Sequence, residues 1–306
     1  MNIVLQKMQK DSQKFFSDAS KKPLIAPPIQ AERQDAPLPD DLTEIRQMAF
    51  KHVGDEVLYA EATFPKQPPA SGKLPVAIYF HGGGLIGGNC GLCPVFRRDL
   101  AQLGYLVYSV DYRLIDKADA HGMFSDACDA FAFIHQDLQQ HHGDPDRVFV
   151  IGESAGAFVS RFAVAAAHSR KLRALYQLPD PLLRFRGVIF FSGMFYLTRN
   201  DPVGMVYKKD AYGLHLADRQ YMQYLDPDDP KINRLLPPVY LTSSRGDFLR
   251  SYTLQYANAL KAQGHACKLW YAHDRSDLSH AFPSLMPSLP ESKDILHRIH
   301  RWMEHI

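Results

Sequence analysis

"IGESAGAFVS", residues 151–160, sets a serine between two glycines directly after the short apolar run "RVFVIG" (147–152). A strand that stops at a sharp glycine-flanked turn and passes at once into a helix holds its turn residue above the sheet edge. There the hydroxyl of Ser154 would stand clear of the backbone. The helix start adds unpaired amide hydrogens and the positive end of its dipole beside that hydroxyl. The same serine could equally be the N-cap of an ordinary helix, its hydroxyl turned back on the first-turn amides. The rest of the chain has to decide between the two.

Outward from this stretch the pattern alternates. Apolar runs rich in β-branched and aromatic residues occur at "LPVAIYF" (74–80), "GYLVYSVDY" (104–112), "RVFVIG" (147–152), "RGVIFFSG" (186–193), "PPVYLTSS" (237–244) and "CKLWYAHD" (267–274). Such runs fit strands buried on both faces. Helical spacing occupies the intervals around 91–103, 123–141, 154–170 and 249–263, and a last helix falls near 291–305. Strand and helix in turn predict an α/β fold with a parallel sheet covered on both faces. Ahead of it, 46–53 and 56–64 read as an antiparallel hairpin turning at "VGDE".

Two segments break this rhythm. Residues 1–45 are polar and helical at first, then proline-rich in "KKPLIAPPIQ" (21–30), and residues 194–236 separate two strands with a Tyr- and Met-rich insertion. Both are candidate lid pieces, and Tyr207, Tyr212, Tyr221 and Met222 are candidate walls of a substrate pocket. Composition fits an amphipathic helix pair packed on the core equally well.

The whole chain has 306 residues, 46% hydrophobic and 22% charged, enough for one large domain with insertions. Its 35 Lys and Arg are scattered among 33 Asp and Glu, for a net charge of +2, which gives no basic stripe for nucleic acid or an anionic membrane. A small neutral substrate is the expected partner. The N-terminus "MNIVLQKMQKDSQKFF" lacks a continuous apolar stretch and no segment is long enough to span a bilayer, so a cytoplasmic location is expected. A homodimer is compatible with the sequence and not required by it. Cys90 and Cys93 form a CxxC in "GGNCGLCP" (87–94), but no second ligand pair accompanies them, so reduced thiols in a loop are expected and no metal. His141 and His142, adjacent at a helix end, cannot both face one ion.

"YFHGGGLIGG" (79–88) follows a predicted strand, and Gly82, Gly83 and Gly84 offer bare backbone amides of the kind that bind an oxyanion. A phosphate cradle would need GxxxxGK[ST], which is missing. His81 is expected to brace this loop by hydrogen bonds. A serine nucleophile also needs a base, and the base an orienting carboxylate. "VYLTSSRGDFLR" (239–250) puts Asp247 just after a strand, and "SDLSHAFP" (276–283) puts His280 in the loop after the last one. The chain order Ser154, Asp247, His280 is the one in which acid and base arrive on successive strand ends. Asp274 and Asp277 share a loop with His280 and cannot easily reach behind its ring, and His273 is read as packed or exposed.

"HGGG", "DYRL", "GESAG", "SSRGDFL" and "SHAF", in that order over residues 46–306, resemble the hormone-sensitive-lipase-like branch of the α/β-hydrolase fold, a group of carboxylesterases. The resemblance implies an eight-stranded, mostly parallel sheet. It implies a helical cap built from an N-terminal segment (1–45) and an insertion (about 194–236), and ester hydrolysis without a cofactor. Carried over, it makes Ser154 the nucleophile, His280 the base, Asp247 its orienter, and the amides of Gly83, Gly84 and Ala155 the oxyanion hole. Leu85 stands where an aromatic residue is common and is expected to line the acyl pocket. "DYRL" is followed here by "IDKADAHGMF" rather than by Ala-Pro-Glu, so the loop after Tyr112 takes its own course. Glu153 is expected to support the site rather than to react. The substrates expected are short to medium acyl or aryl esters, with hydroxycinnamoyl esters among them. A peptidase or amidase of the same fold, or a binding module without chemistry, is the alternative.

Overall fold

The computed structural model describes residues 2–19, 37–67, 69–70 and 72–306. Eight strands form one sheet: β1 (Leu42–Val53), β2 (Glu56–Pro65), β3 (Leu74–Phe80), β4 (Leu106–Val110), β5 (Gly143–Glu153), β6 (Gly187–Phe191), β7 (Val239–Ser244) and β8 (Cys267–Ala272). Their order is β1-β2-β4-β3-β5-β6-β7-β8. β2 pairs antiparallel with both β1 and β4, and every later pairing is parallel. The hairpin turns at Gly54, whose φ of 59° suits a residue without a Cβ. β1 starts four residues earlier than its alternation suggests and bulges at Gln47, where φ is 56°.

The central strands β3 and β6 are apolar throughout because each face of the sheet there meets helices. Val76, Ile78 and Phe80 of β3, Val148 and Val150 of β5, and Val188 and Phe190 of β6 point to one side, into a core shared with the helices Ala120–Asp137, Ala155–Ala167 and Arg250–Ala262. Their neighbours Ala77, Tyr79, Phe149, Ile151, Ile189 and Phe191 point to the other, against the helices Pro94–Gln102 and Pro290–Glu304. Each such side chain contributes about 1.5–3 kcal/mol by leaving water. A parallel sheet held between two helical layers brings the carboxyl ends of β3, β5, β6, β7 and β8 to one edge, where loops can carry side chains to a common point.

Sequence periodicity gave no sign of the helix Arg170–Tyr176, which is capped by Ser169, its hydroxyl accepting from the Leu172 amide at 3.1 Å. The 194–236 insertion contains the helices Pro202–Tyr212, Arg219–Met222 and Pro230–Asn233. The first of these has Asp201 as its N-cap, and the Tyr252 hydroxyl donates to the other oxygen of that carboxylate at 2.6 Å. The N-terminal helix Ile3–Ala19 meets the same element: the Asn2 side-chain amide donates to Val206 O at 2.9 Å and to Asp210 Oδ2 at 2.8 Å. The proline-rich stretch 21–30 lies outside the described residues.

The "DYRL" segment is scaffolding. Asp111 accepts from the amides of Tyr59 and Cys90 at 3.0 and 2.6 Å, tying β2 to the loop that follows the glycine run. Arg113 grips Asp126, fully buried on the helix Ala120–Asp137, through Nε at 2.8 Å and Nη2 at 2.9 Å, and Lys51 Nζ of β1 adds a contact at 2.6 Å. Deleting the acid would leave the partly buried Arg113 facing a hole, while Lys51 would keep Asp129 at 2.6 Å. Asp126→Ala should therefore lower the unfolding free energy in urea by about 3–5 kcal/mol. A loss below about 1 kcal/mol would mean that this network adds little to the sheet edge.

Candidate active site

β5 ends at Glu153, and Ser154 follows with φ 50° and ψ −112°, a conformation that costs a non-glycine residue about 1–3 kcal/mol. The surroundings impose it. The Ser154 amide donates to Phe191 O of β6 at 2.9 Å, and the Met194 amide donates to Ser154 O at 2.9 Å. A Cβ on Gly156 would lie 2.2 Å from Phe80 O and 2.6 Å from His81 O, so only glycine lets the helix start pack this close to β3. Ser154 makes no capping hydrogen bond to its helix. Its Oγ instead lies 2.8 Å from His280 Nε2, which separates it from an ordinary N-cap serine.

His280 hangs in the loop between β8 and the short helix Phe282–Leu285, held where the Ala281 amide donates to Ser192 Oγ at 2.9 Å. Phe248 covers one face of the imidazole at 4.2 Å between ring centroids. On the far side, His280 Nδ1 lies 2.6 Å from Asp247 Oδ1. Asp247 is fully buried past the end of β7, and it also accepts from the Leu249 amide at 2.9 Å and from Ser243 Oγ at 2.7 Å. Burial pushes this carboxyl upward, but the hydrogen bonds from His280, Ser243 and Leu249 outweigh burial and hold it below the usual carboxylate range. The Nδ1–H tautomer follows from this pairing, with the lone pair of Nε2 turned to the serine. Asp274 is exposed, and Asp277 pairs with Arg275 at 2.7 Å, so neither serves the imidazole.

The glycine run arches toward Ser154 from the end of β3. Gly83 has φ 112° and Gly84 φ 62°, and Gly83 O accepts from the amides of Ile86 and Gly87, both at 3.1 Å, to close the turn. A Cβ on Gly83 would fall 2.1 Å from Gly87 O. On the expectation that the amides of this loop bind an oxyanion, Gly83→Ala should distort the loop and lower kcat by about 10²–10³-fold, the effect of losing one such donor, as read in steady-state kinetics on a soluble ester. An unchanged kcat would place the oxyanion donors elsewhere. Ala155 opens its helix, so its amide has no intrahelical acceptor.

His81 is buried, with Nδ1 2.7 Å from Gly82 O and its ring stacked on Tyr112 at 4.5 Å, and Tyr112 donates to His81 O at 2.8 Å. Burial lowers its pKa, so it braces the loop as a neutral ring. Glu153, also buried, accepts from Tyr79 and, at 2.6 Å, from Ser284 Oγ, while Cys93 Sγ lies 3.6 Å from the same oxygen. Cys90 is buried beneath the loop, and burial together with Asp111 and Glu61 pushes its thiol well up, against thiolate chemistry. Among the described residues no group of three His, Cys, Asp or Glu is placed to hold a metal ion.

Of the expected wall residues, Tyr207 reaches the glycine loop: a methyl on Gly84 would meet its hydroxyl at 3.0 Å. Burial pushes that phenol up to about 12. Tyr212 is fully buried edge-on to Phe158, one turn along the helix from Ser154, at 6.4 Å. Tyr221 stacks between Tyr176 at 4.5 Å and His215 at 4.1 Å, and Met222 packs on the main core. Leu85 is fully buried in that core, and its carbonyl accepts from the Ile115 amide at 2.8 Å. Sequence reasoning passed over Ser243 and Ser192, since a serine at a strand end carries no signal of what its hydroxyl will reach.

A family model described as alpha/beta hydrolase fold matches residues 77–283. Among curated proteins, the chain is 29% identical over 248 residues to the carboxylic ester hydrolase LipN of Mycobacterium tuberculosis, a match covering 72% of this chain and 60% of that protein. It is equally 29% identical to the versiconal hemiacetal acetate esterase of Dothistroma septosporum, over 72% of this chain and 70% of the fungal one. The chain thus spans less than two thirds of the mycobacterial hydrolase. Among solved structures, esterase B of Lactobacillus rhamnosis superposes with a TM-score of 0.80 at 21% identity, covering 98% of this chain and 96% of that one. An esterase of Pyrobaculum calidifontis gives 0.68 at 21% identity, over 100% and 98% of the two chains. No helix among the described residues is long and apolar enough to cross a membrane.

Proposed function

The chain belongs to the α/β hydrolase fold family, and from that premise we propose that it is a serine carboxylesterase acting on short to medium acyl or aryl esters. The observation that carries the reading is the unbroken relay from Ser154 Oγ to His280 Nε2 at 2.8 Å and from His280 Nδ1 to Asp247 Oδ1 at 2.6 Å. In this reading Ser154 Oγ attacks the ester carbonyl as Nε2 takes its proton. The amides of Gly83, Gly84 and Ala155 receive the oxyanion, and Asp247, ionised, steadies the imidazolium. His280 then protonates the leaving alcohol. Water, deprotonated by the same nitrogen, releases the acid from the acyl-enzyme. The ester-hydrolase names of the relatives support this choice of substrate class.

A panel of 4-nitrophenyl esters of rising chain length, with methyl ferulate, a triglyceride emulsion and an anilide, tests it. Turnover of the shorter esters well above the anilide is expected, and an anilide rate matching the esters would point to an amidase.

The 194–236 insertion and the N-terminal helix together form the proposed cap, with Tyr207 and Tyr212 its walls next to the catalytic serine. Their joint, Asn2 to Val206 and Asp210, ties the first residues to the helix that carries both tyrosines. Removing residues 2–19 should change the octanoate-to-acetate ratio of kcat/KM by about tenfold, the scale of one lost methylene contact. The acetate rate itself should move far less. An unaltered acyl profile in a folded deletion variant would remove the N-terminal segment from the cap.

A further inference from the structure

Arg161 sits in the middle of the helix Ala155–Ala167 and is 1% exposed. Other buried arginines of the chain have carboxylates: Arg97 meets Glu61 at 2.9 Å, Arg98 meets Glu44 at 3.1 Å, and Arg173 meets Asp180 at 3.1 Å. Arg161 has none among the described residues. Its Nε and Nη1 make no hydrogen bond, Nη2 reaches Leu225 O of the insertion only at 3.5 Å, and the guanidinium lies 6.0 Å from the centre of the Tyr256 ring and within reach of the Tyr256 hydroxyl. The Tyr212 phenol lies within range of the same positive charge, and the hydroxyls of Tyr212 and Tyr221 are likewise buried without a hydrogen-bond partner. A buried cation whose Nε and Nη1 are unpaired, together with two buried phenols that also lack a partner, has spare donors that an anion would satisfy.

The position of this cluster relates it to the serine. Arg161 lies seven residues beyond Ser154, about 10 Å along the helix axis. Helical side chains lean toward the N-terminus, here toward Ser154. Phe158, one turn nearer the serine, touches Tyr212. Ser154 is itself only 6% exposed, and Tyr207 of the insertion reaches the glycine loop beside it. Tyr212, Tyr221 and Leu225 all belong to the insertion. A carboxylate has the right chemistry for these donors: it accepts two parallel hydrogen bonds from a guanidinium and further ones from phenols.

We propose that Arg161, with Tyr212 and Tyr221, receives a free carboxylate carried by the substrate, so that the preferred esters are anionic: half-esters of dicarboxylic acids or esters of hydroxy acids. This rests on the esterase reading above and names its substrate class. The carboxylate is held and takes no part in the bond changes at Ser154.

The test compares kcat/KM for monoethyl succinate, glutarate and adipate with ethyl pentanoate and ethyl hexanoate, which places the carboxylate on the acyl side. A second arm compares 3-acetoxypropanoate and 4-acetoxybutanoate with butyl acetate, which places it on the alcohol side. One arm should exceed its neutral counterpart by about 10- to 100-fold, the scale of a hydrogen-bonded charge. Arg161→Met should bring that ratio to about one, and Arg161→Lys should keep part of it. Calorimetric titration of the Ser154→Ala protein with monoethyl glutarate and 4-acetoxybutanoate reads binding without turnover, and binding should vanish when Arg161→Met is added. Neutral esters hydrolysed as well as all anionic ones would overturn the proposal, as would an anionic preference that survives Arg161→Met in folded protein. Should no ester be hydrolysed at all, the esterase reading fails, and the binding titration alone decides for or against the carboxylate site.

Discussion

Ser154→Ala should lower ester turnover by about a millionfold, the loss seen when a triad nucleophile is removed while the rest of the site survives. The magnitude follows from what remains. Without Oγ no acyl-enzyme forms, and the glycine-loop amides and the pocket can only assist attack by water. The fold should persist, because alanine meets the same backbone at φ 50° and the elbow is held by main-chain bonds to Phe191 and Met194 rather than by the hydroxyl. Thermal unfolding of the variant should lie within a few degrees of wild type, roughly the shift that about 1 kcal/mol produces in a chain this long. A variant that unfolds normally yet keeps one percent of the activity would show that another group attacks the ester.

The second large effect falls on the acid. Asp247→Asn should cost about 10⁴-fold in kcat with little change in KM. An amide can face Nδ1 with its NH2 group and stabilise the wrong tautomer, leaving the proton on Nε2, where it blocks the serine. It also removes the negative charge that steadies the imidazolium. Because the wild-type carboxyl is held below its usual range, it remains ionised across neutral pH. The sign for stability follows. A depressed carboxyl stabilises the fold above its unfolded pKa, and that contribution is lost as pH falls through the lower, folded value. Acid unfolding of Asp247→Asn should accordingly depend less steeply on pH than that of wild type. Asp274→Asn and Asp277→Asn should leave kcat within about twofold, since substitutions at exposed positions outside the site rarely matter. A loss of the Asp247 size at either would reassign the acid.

Much of this arrangement could be read in the chain because its physics is local. A parallel strand covered on both faces needs apolar residues at every position, so β3 stands out as "LPVAIYF" with boundaries matching the run. The elbow is similarly legible, since Gly156 is dictated by the approach of Phe80 O and His81 O. β5 was harder. Its pairing begins at Gly143, four residues ahead of the apolar run, through "GDPD", which no propensity favours as strand and which only the neighbouring β3 holds there. The helix Arg170–Tyr176 is too short for a period of 3.6 to show. The long-range partners were invisible for a different reason: nothing in "FSDACDAF" says that Asp126 will meet Arg113 and Lys51, or that Ser243 will reach back to Asp247. Nothing in "AFVSRFAV" marks Arg161 as a buried cation, because Leu225 of the insertion and Tyr256 of the helix Arg250–Ala262 come to it from far along the chain.

The measurement that bears most directly on the central claim is covalent capture. Full-length protein is treated with a 4-nitrophenyl alkylphosphonate, release of nitrophenolate is followed, and the intact and digested protein is weighed by mass spectrometry. Attack by an activated serine should release one equivalent of nitrophenolate and leave one phosphonyl group on the peptide that contains Ser154, with esterase activity lost in the same proportion. Ser154→Ala should take up none. Phosphonylation at another residue, or equal labelling of Ser154→Ala, would contradict the assignment of Ser154 as the nucleophile.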